Sequence, residues 1–287
     1  LCFFLYLLVV IIDFTRRYLH HKKLEKQTSE IAVTMDKLSL PRGQMETDYQ
    51  KMLRSLYITL QQQINELENG QVEQAEYFTM WVHQIKTPIA ALRLLLAEEE
   101  DERSQEMWEE LFSIEQYVEM ALQFSRLSAK STDFVIGEVS LDKVVREAIH
   151  KYARLFVRKK IKMELSSIDT QVLTDEKWLE FVIEQILSNG IKYTAGGTIS
   201  VYLKEEPEQE TKELVIEDTG IGIAPEDLPR IFEKGYTGYN GHADKRSTGI
   251  GLYLCRKIMR KLSHEITIES EIGVGTKVHL EMRSRDK

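Results

Sequence analysis

The chain has 287 residues, 43% of them hydrophobic and 29% charged, with a net charge of -8. This is the composition of a folded protein of two or three domains, not of a disordered chain, and its acidic balance argues against a nucleic-acid binder, which would carry a basic face. The two cysteines, Cys2 and Cys255, make neither a disulfide framework nor a metal set, and fit a reducing compartment.

The first stretch, LCFFLYLLVVII, is twelve apolar residues without a charge. A bilayer-spanning helix needs about 20, and a secretory signal would carry its cations before the run instead of after it. Residues 1–13 therefore read as the truncated end of a transmembrane helix, with Arg16, Arg17, Lys22 and Lys23 on the cytoplasmic side; a buried core helix is the alternative. Residues 14–76 read as a helical signalling linker. Leu24, Ile31 and Leu38 stand seven apart with Thr28 and Met35 between them, and Leu53, Leu60 and Leu67 repeat the interval after LPRG (40–43), a coiled-coil-like pattern.

Residues 77–131 predict an antiparallel helical hairpin. Phe78, Val82, Ile85, Ile89, Leu92 and Leu96 form one apolar stripe, and Leu111, Ile114, Val118, Ala121 and Leu122 the other. One stripe per arm is too little to be stable alone, so two hairpins pairing into a dimeric four-helix bundle is the expected burial. At about 100° per residue, His83 projects about 140° from the centre of its stripe, and Thr87 falls on the same outward side one turn later. Pro88 follows in the helix interior. An exposed histidine beside a proline is, alone, an ordinary surface feature. Between the arms, AEEEDERSQEMWEE (97–110) carries eight acids against one arginine and reads as a solvated hairpin tip.

After a loop near KSTDFVIGE, residues 138–287 mix helix and strand over the length of one domain. KIKMEL, TISVYL, ELVIED, EITIES and TKVHLE predict strands; segments near 141–155, 176–193 and 250–263 predict helices. In WLEFVIEQILSNGIKYT (178–194), Gln185, Asn189 and Lys192 fall within about 60° of one another. Two amides and an ammonium can hold a magnesium ion and the phosphates it bridges, although polar helix flanks are common. In IEDTGIGI (216–223), Asp218 can accept a hydrogen bond from an adenine amino group while Gly220 and Gly222 let the backbone come close; a plain tight turn is the alternative. IFEKGYTGYNGHADKR (231–246), with spaced glycines and Lys234, Lys245 and Arg246, predicts a mobile cover. STGIGLYLCRKIMRKL (247–262) puts Gly249 and Gly251 at a helix start, where free N–H groups favour phosphate. IGVGTK (272–277) reads as a hairpin turn.

No GxxxxGK[ST] segment is present and no glycine run has the context of a dinucleotide fingerprint. The asparagine helix, Asp-x-Gly-x-Gly, glycine-rich lid and second Gly-x-Gly, in that order, resemble the ATP-binding domain of sensor histidine kinases and their gyrase and Hsp90-type relatives, over roughly 77–287. The resemblance implies an α/β sandwich of that type at 138–287, ATP and Mg²⁺ as cofactors, a homodimer, and a response regulator whose aspartate receives the phosphoryl group. His83 then matches the phosphoacceptor, Thr87 the polar residue used in phosphatase activity and Pro88 the family's proline. Asn189 matches the magnesium ligand, Lys192 and Tyr193 the adjoining nucleotide contacts, and Asp218 the adenine acceptor. Phe232 matches the hydrophobic anchor of the lid, with ordinary core packing as an equal alternative. Leu252 and Thr276 complete the nucleotide-binding set with Gly220, Gly222, Gly249 and Gly251.

Two positions depart from the family pattern. Gln84 stands where an acid usually follows the histidine and cannot take a proton, which bears on rate more than on the reaction, because a neutral imidazole is already a nucleophile. Gln185 stands where these kinases commonly have asparagine and the related ATPases a water-activating glutamate; an amide cannot be that base, which favours transfer over hydrolysis. VHQIKTPIAAL, EQILSNGIKYT, FEKGYTGYNG and STGIGLYL resemble the intramembrane-sensing kinases that work beside peptide-antibiotic ABC transporters, implying a cell-membrane protein with a cytoplasmic catalytic part and a transporter partner. A hydrolysing ATPase and a non-catalytic nucleotide-binding scaffold remain the alternatives.

Overall fold

The computed structural model describes residues 2–31, 41, 43–97, 101–128, 134–204, 211–238 and 248–283. The chain forms two compact units, Leu1–Glu73 and Gln74–Lys287. In the first, helix α1 (Cys2–Ile31) carries the apolar opening run with Phe3 to Ile12 all exposed. Its apolar stretch stops at Asp13, which pairs with Arg17 at 2.9 Å. Among the described residues no helix is long and apolar enough to cross a membrane, so the expected membrane segment is not seen as a span. Helix α2 (Gln44–Ala97) exposes Leu53, Leu60 and Leu67. The side chains of Leu24, Thr28 and Ile31, and all of Met35 and Leu38, lie outside the described residues.

In the second unit, the end of α2 packs against α3 (Glu102–Ser128) as the expected hairpin. Val82, Ile89, Leu111, Val118 and Leu122 are buried together, with Ile85 and Leu96 against them. Lys86 to Glu119 at 2.7 Å and an Arg93–Glu115 ion pair tie the arms in antiparallel register. Leu92 and Ile114, expected in the same seam, are instead 50% and 47% exposed.

Helix α3 has a second apolar face that the sequence reading did not use. Phe112 and Leu127 are buried in the core of the α/β domain, and Trp108, Met120 and Phe124 pack against it. Phe112 meets Tyr152 edge to face at 5.3 Å, Arg154 lies 4.7 Å over the Trp108 ring, and Arg158 pairs with Glu109 at 2.9 Å. The spacing 108, 112, 120, 124, 127 is a helical stripe of its own, opposite the hairpin seam, and was legible beneath the acidic run.

The α/β domain follows with β1 (Gly137–Ser140), α4 (Leu141–Lys151), α5 (Ala153–Arg158), β2 (Ile161–Leu165), β3 (Gln171–Thr174), α6 (Glu176–Tyr193), β4 (Gly197–Lys204), β5 (Thr211–Asp218), α7 (Gly251–Lys261), β6 (Glu265–Glu271) and β7 (Gly275–Arg283). All of the expected strands are present, and so are the helices, except that the one expected near 141–155 is divided at Tyr152 into α4 and α5; the short antiparallel pair β1–β3 had no sequence signal. The main sheet has the order β2-β4-β5-β7-β6, parallel only between β2 and β4. Alternation sorts its faces. Ile199, Val201, Leu214, Ile216, Val278 and Leu280 are buried with the helices, while the other face carries cross-strand pairs such as Lys277–Glu217 at 3.1 Å and Lys204–Glu213 at 3.1 Å.

Helix α6 starts where Asp175 accepts from the backbone N–H groups of Lys177 and Trp178 at 3.0 and 3.1 Å, an N-cap that satisfies two orphan donors. Its Leu179, Ile183 and Leu187 are fully buried, so truncating one of them to alanine costs about 2–5 kcal/mol.

Candidate functional site

A cavity of about 470 Å³, within the range usual for small-molecule sites, opens between α6, the ends of β5 and β7, the start of α7 and the flank of α3. Gln185, Asn189, Lys192, Tyr193, Asp218, Gly222, Gly249, Gly251, Leu252 and Thr276 all line it. The structure thus brings together most of the nucleotide set expected from sequence. Gly220 and Phe232 are not part of the lining. Phe232 packs on the domain core with Arg256 5.2 Å over its ring, and its neighbour Ile231 reaches the cavity instead. Of the expected cover, residues 239–246 lie outside the described ones. Tyr236, Thr237 and Gly238 line the cavity, and the N–H of Gly235 donates to the carbonyl of Gly249 at 2.9 Å.

Asp218 owes its place to strand alternation. It follows Leu214 and Ile216 on the inward face of β5, where Thr276 is its partner on β7. Burial pushes its carboxyl above the usual carboxylate range, countered by hydrogen bonds from the backbone N–H groups of Gly220 and Thr276. The Gly220 bond is 2.8 Å long and goes to Oδ1. A half-buried acceptor carboxylate beside apolar side chains such as Ile221, Ile223 and Val278 suits an amino group on a flat ring.

The two Gly-x-Gly segments turn out to be packing devices. Gly222 has φ +72, and a Cβ there would run into the carbonyl of Glu271. Gly249 has φ +63 and sits against the Gly235–Tyr236 backbone, where a Cβ would come within 2.5 Å of the Gly235 carbonyl carbon. The IGVGTK turn, the least informative motif in sequence, holds the first of them. Gly273 N–H donates to Ile221 O at 2.9 Å, and Ser270 Oγ accepts from Ile223 N–H at 2.8 Å.

The same cavity is lined by groups suited to phosphate. Asn189 and Lys192 come from α6, and the Lys192 ammonium sits 5.2 Å over the Tyr193 ring. The N-terminus of α7 begins at Gly251, where Gln185 Oε1 lies 3.0 Å from the position a Cβ would take. Lys159, which the sequence reading missed, also lines the cavity and donates to the Ile191 carbonyl at 2.7 Å, a cation at the C-terminal end of α6. The signal for it lay outside any motif.

His83, Gln84 and Thr87 are elsewhere, exposed on α2. Pro88 lacks the N–H that Gln84 O would accept, and Thr87 Oγ1 donates to the His83 carbonyl at 3.2 Å, adding a bond where the ladder is interrupted.

Comparison with known proteins bears on this arrangement. Residues 174–286 match the family model for histidine kinase-, DNA gyrase B-, and HSP90-like ATPases. The sensor histidine kinase YxdK of Bacillus subtilis strain 168 is 35% identical over 231 residues, 80% of this chain and 71% of that one. The sensor protein BceS of the same organism is 35% identical over 198 residues, 68% of this chain and 58% of that one. The crystal structure of full-length ShkA in complex with AMPPNP aligns with a TM-score of 0.54 at 20% identity, covering 75% of this chain and 47% of that one, a likeness of fold. With an ATPase-type domain whose cavity holds a half-buried acceptor carboxylate, a helical hairpin in front of it, and that level of identity over most of YxdK, the chain belongs to the sensor histidine kinases, ATP-dependent protein-histidine kinases of two-component systems, and with YxdK and BceS to their intramembrane-sensing group.

Proposed function

We propose that His83 is the phosphoacceptor of this kinase and that the cavity ending on Asp218 holds the ATP. The observation that carries the reading is the pairing, in one compact unit, of a cavity lined by Asp218, Asn189, Lys192 and the start of α7 with an exposed histidine on the adjoining hairpin. Asp218 accepts from the adenine amino group. Lys192, Tyr193 and the α7 N-terminus face the phosphates. Asn189 offers the amide oxygen expected of a magnesium ligand, and a single protein oxygen shared with substrate phosphates is a fitting donor set for Mg²⁺. When bound, that ion neutralises charge on the transferring group. The residues of the chain contribute positioning: they hold the nucleotide while the His83 imidazole attacks the γ-phosphorus and the bond to ADP breaks. Incubation with γ-labelled ATP should give label that is acid-labile and alkali-stable, as a phosphohistidine is. Label stable in acid, or release of inorganic phosphate without any labelled protein, would overturn the reading.

The ionisation of Asp218 sets a pH dependence. The carboxylate accepts from the amine more strongly than the neutral acid does, and burial raises the pH at which it takes up a proton. ATP affinity should therefore fall as pH drops through a value above the ordinary aspartate range, and Asp218→Asn should flatten that profile and weaken selection of ATP over GTP; calorimetric titration across the acid range checks both.

A response regulator receives the phosphoryl group, and Thr87 serves the reverse step by orienting water. Its hydroxyl is exposed, and releasing it from the His83 carbonyl costs one solvent-exchangeable hydrogen bond, about 0.5–1.5 kcal/mol. Thr87→Ala should keep near-native autophosphorylation and prolong the life of phosphorylated regulator. Equal decay with the native protein and the variant would remove Thr87 from the mechanism.

The exposed Leu92, Leu94, Leu95, Met107, Ile114 and Tyr117 support pairing of two hairpins into a four-helix bundle, because one hairpin leaves this surface in water. The exposed Phe3–Ile12 run followed by Arg16 and Arg17 supports attachment to the cell membrane with the catalytic unit on the cytoplasmic side. The likeness of VHQIKTPIAAL, EQILSNGIKYT, FEKGYTGYNG and STGIGLYL to that group supports a peptide-antibiotic ABC transporter as the source of the signal.

A further inference from the structure

We propose that Lys159 is a positioning residue for the triphosphate: its ammonium closes the C-terminal end of α6 and so fixes the direction in which Lys192 faces the phosphates. The inference rests on the reading of Lys192 as a phosphate contact and adds the residue that holds it. The last turn of a helix leaves carbonyl groups without a partner inside the helix. Helix α6 ends at Tyr193, because Thr194 is extended, with φ -103 and ψ 120. Of its final carbonyls, that of Gly190 accepts from Thr194 N–H at 3.0 Å and that of Tyr193 from Ile221 N–H at 3.2 Å. The two between them, on Ile191 and Lys192, accept from Lys159 Nζ at 2.7 and 3.5 Å. One ammonium thus serves both groups, at the negative end of the helix dipole, where a cation is favoured.

The choice of carbonyls is what ties Lys159 to the site. Those of Ile191 and Lys192 belong to the two peptide units on either side of the Lys192 Cα, so holding both sets the direction in which that side chain leaves the helix. Terminal turns fray easily, and a contact misplaced by about 1 Å loses much of its effect. Lys159 and Lys192 line the same cavity as Asn189 and Asp218. Packing does not call for a lysine here, because the residue is exposed and contributes little to the core. Its neighbours in sequence have other tasks. Arg158 reaches the hairpin, pairing with Glu109 at 2.9 Å and donating to Gln105 O at 3.1 Å. Lys160 takes φ +54, a left-handed conformation uncommon outside glycine, and its N–H donates to Val157 O at 3.1 Å. That turn separates α5 from β2 and leaves Lys159, the C-cap of α5, beside the end of α6.

The test compares ATP with adenosine, which lacks the phosphates, by competition titration of the full chain. Lys159→Met keeps the apolar stem and removes the donors. It should weaken ATP about fivefold, the scale of one charge-assisted hydrogen bond partly replaced by water, and leave adenosine unchanged; Lys159→Arg, which keeps the donors, should restore ATP. Should the methionine variant not fold, Lys159→Gln is read the same way. Equal loss for ATP and adenosine would make Lys159 a structural cap, and no loss for either would remove it from the site; both results overturn the proposal. Because Lys159 acts through Lys192, the double variant Lys159→Met, Lys192→Met should bind ATP no more weakly than Lys192→Met alone. Additive losses would mean that Lys159 acts on the phosphates by itself, and would also overturn the positioning role. Lys192→Met separates the two levels. If it leaves the preference for ATP over adenosine at the native level, the assignment of Lys192 fails; if it lowers that preference while Lys159→Met does not change it, the role of Lys159 alone fails.

Discussion

His83→Gln is expected to abolish incorporation of γ-label from ATP while leaving nucleotide binding intact. The side chain is exposed on α2, and the neighbouring Val82, not His83, is buried in the hairpin seam, so the substitution should move stability by no more than about 0.5 kcal/mol. Glutamine keeps the length and polarity of the position but has no nucleophilic nitrogen. Complete loss of label with unchanged ATP titration and unchanged melting separates loss of chemistry from loss of structure. Undiminished label on the variant would place the phosphoacceptor elsewhere.

Gly222→Ala should remove ATP binding by a different route. The residue has φ +72, and forcing an L side chain there costs about 1–2 kcal/mol before any contact is counted. The added Cβ would also overlap the Glu271 carbonyl and come within 2.9 Å of Ile272 Cα, both of them backbone atoms in a hairpin turn. The loop must therefore lift from the β6–β7 turn, giving up the Gly273–Ile221 and Ser270–Ile223 bonds. Asp218 and Gly220 lie at the root of that loop. ATP affinity should drop more than about tenfold with a lowered melting temperature, since displaced catalytic and binding loops lose at least that much from misplacement. Calorimetry and thermal melts check it; native affinity would mean that the Gly222 loop does not shape the site.

The second face of α3 packs the hairpin directly onto the nucleotide domain. Phe112 and Tyr152 pack edge to face, and Tyr152 Oη donates to Gln116 Oε1 at 2.9 Å. Thr248 Oγ1 approaches Met120 Sδ at 3.4 Å, and Lys234 lies 4.7 Å over Phe124. The cavity wall thus includes residues of the hairpin itself, among them Gln116 and Met120. The sequence reading treated hairpin and ATP domain as separate bodies because each has a complete local signal. A helix can carry two apolar stripes, and only one was needed to account for the hairpin.

Period and punctuation were enough to determine the elements of the α/β domain. The alternation in ELVIED and TKVHLE, and the glycine-free run of EKWLEFVIEQILSN after a capping aspartate, are local properties that survive without context. The order of the motifs was enough to point to a nucleotide site and to His83. Local pattern could not say what each glycine was for. Gly222 and Gly249 are required by backbones that approach from elsewhere in the chain, and Gly220 by oxygens from the end of α6 and the end of β5 that crowd it too closely for a Cβ. Nor could it tell that Thr194, one more polar residue after a helix, is buried against Gly220. These relations join residues that are distant in sequence, and they exist only once the sheet order and the packing of α6 on it bring the ends of those elements to one place.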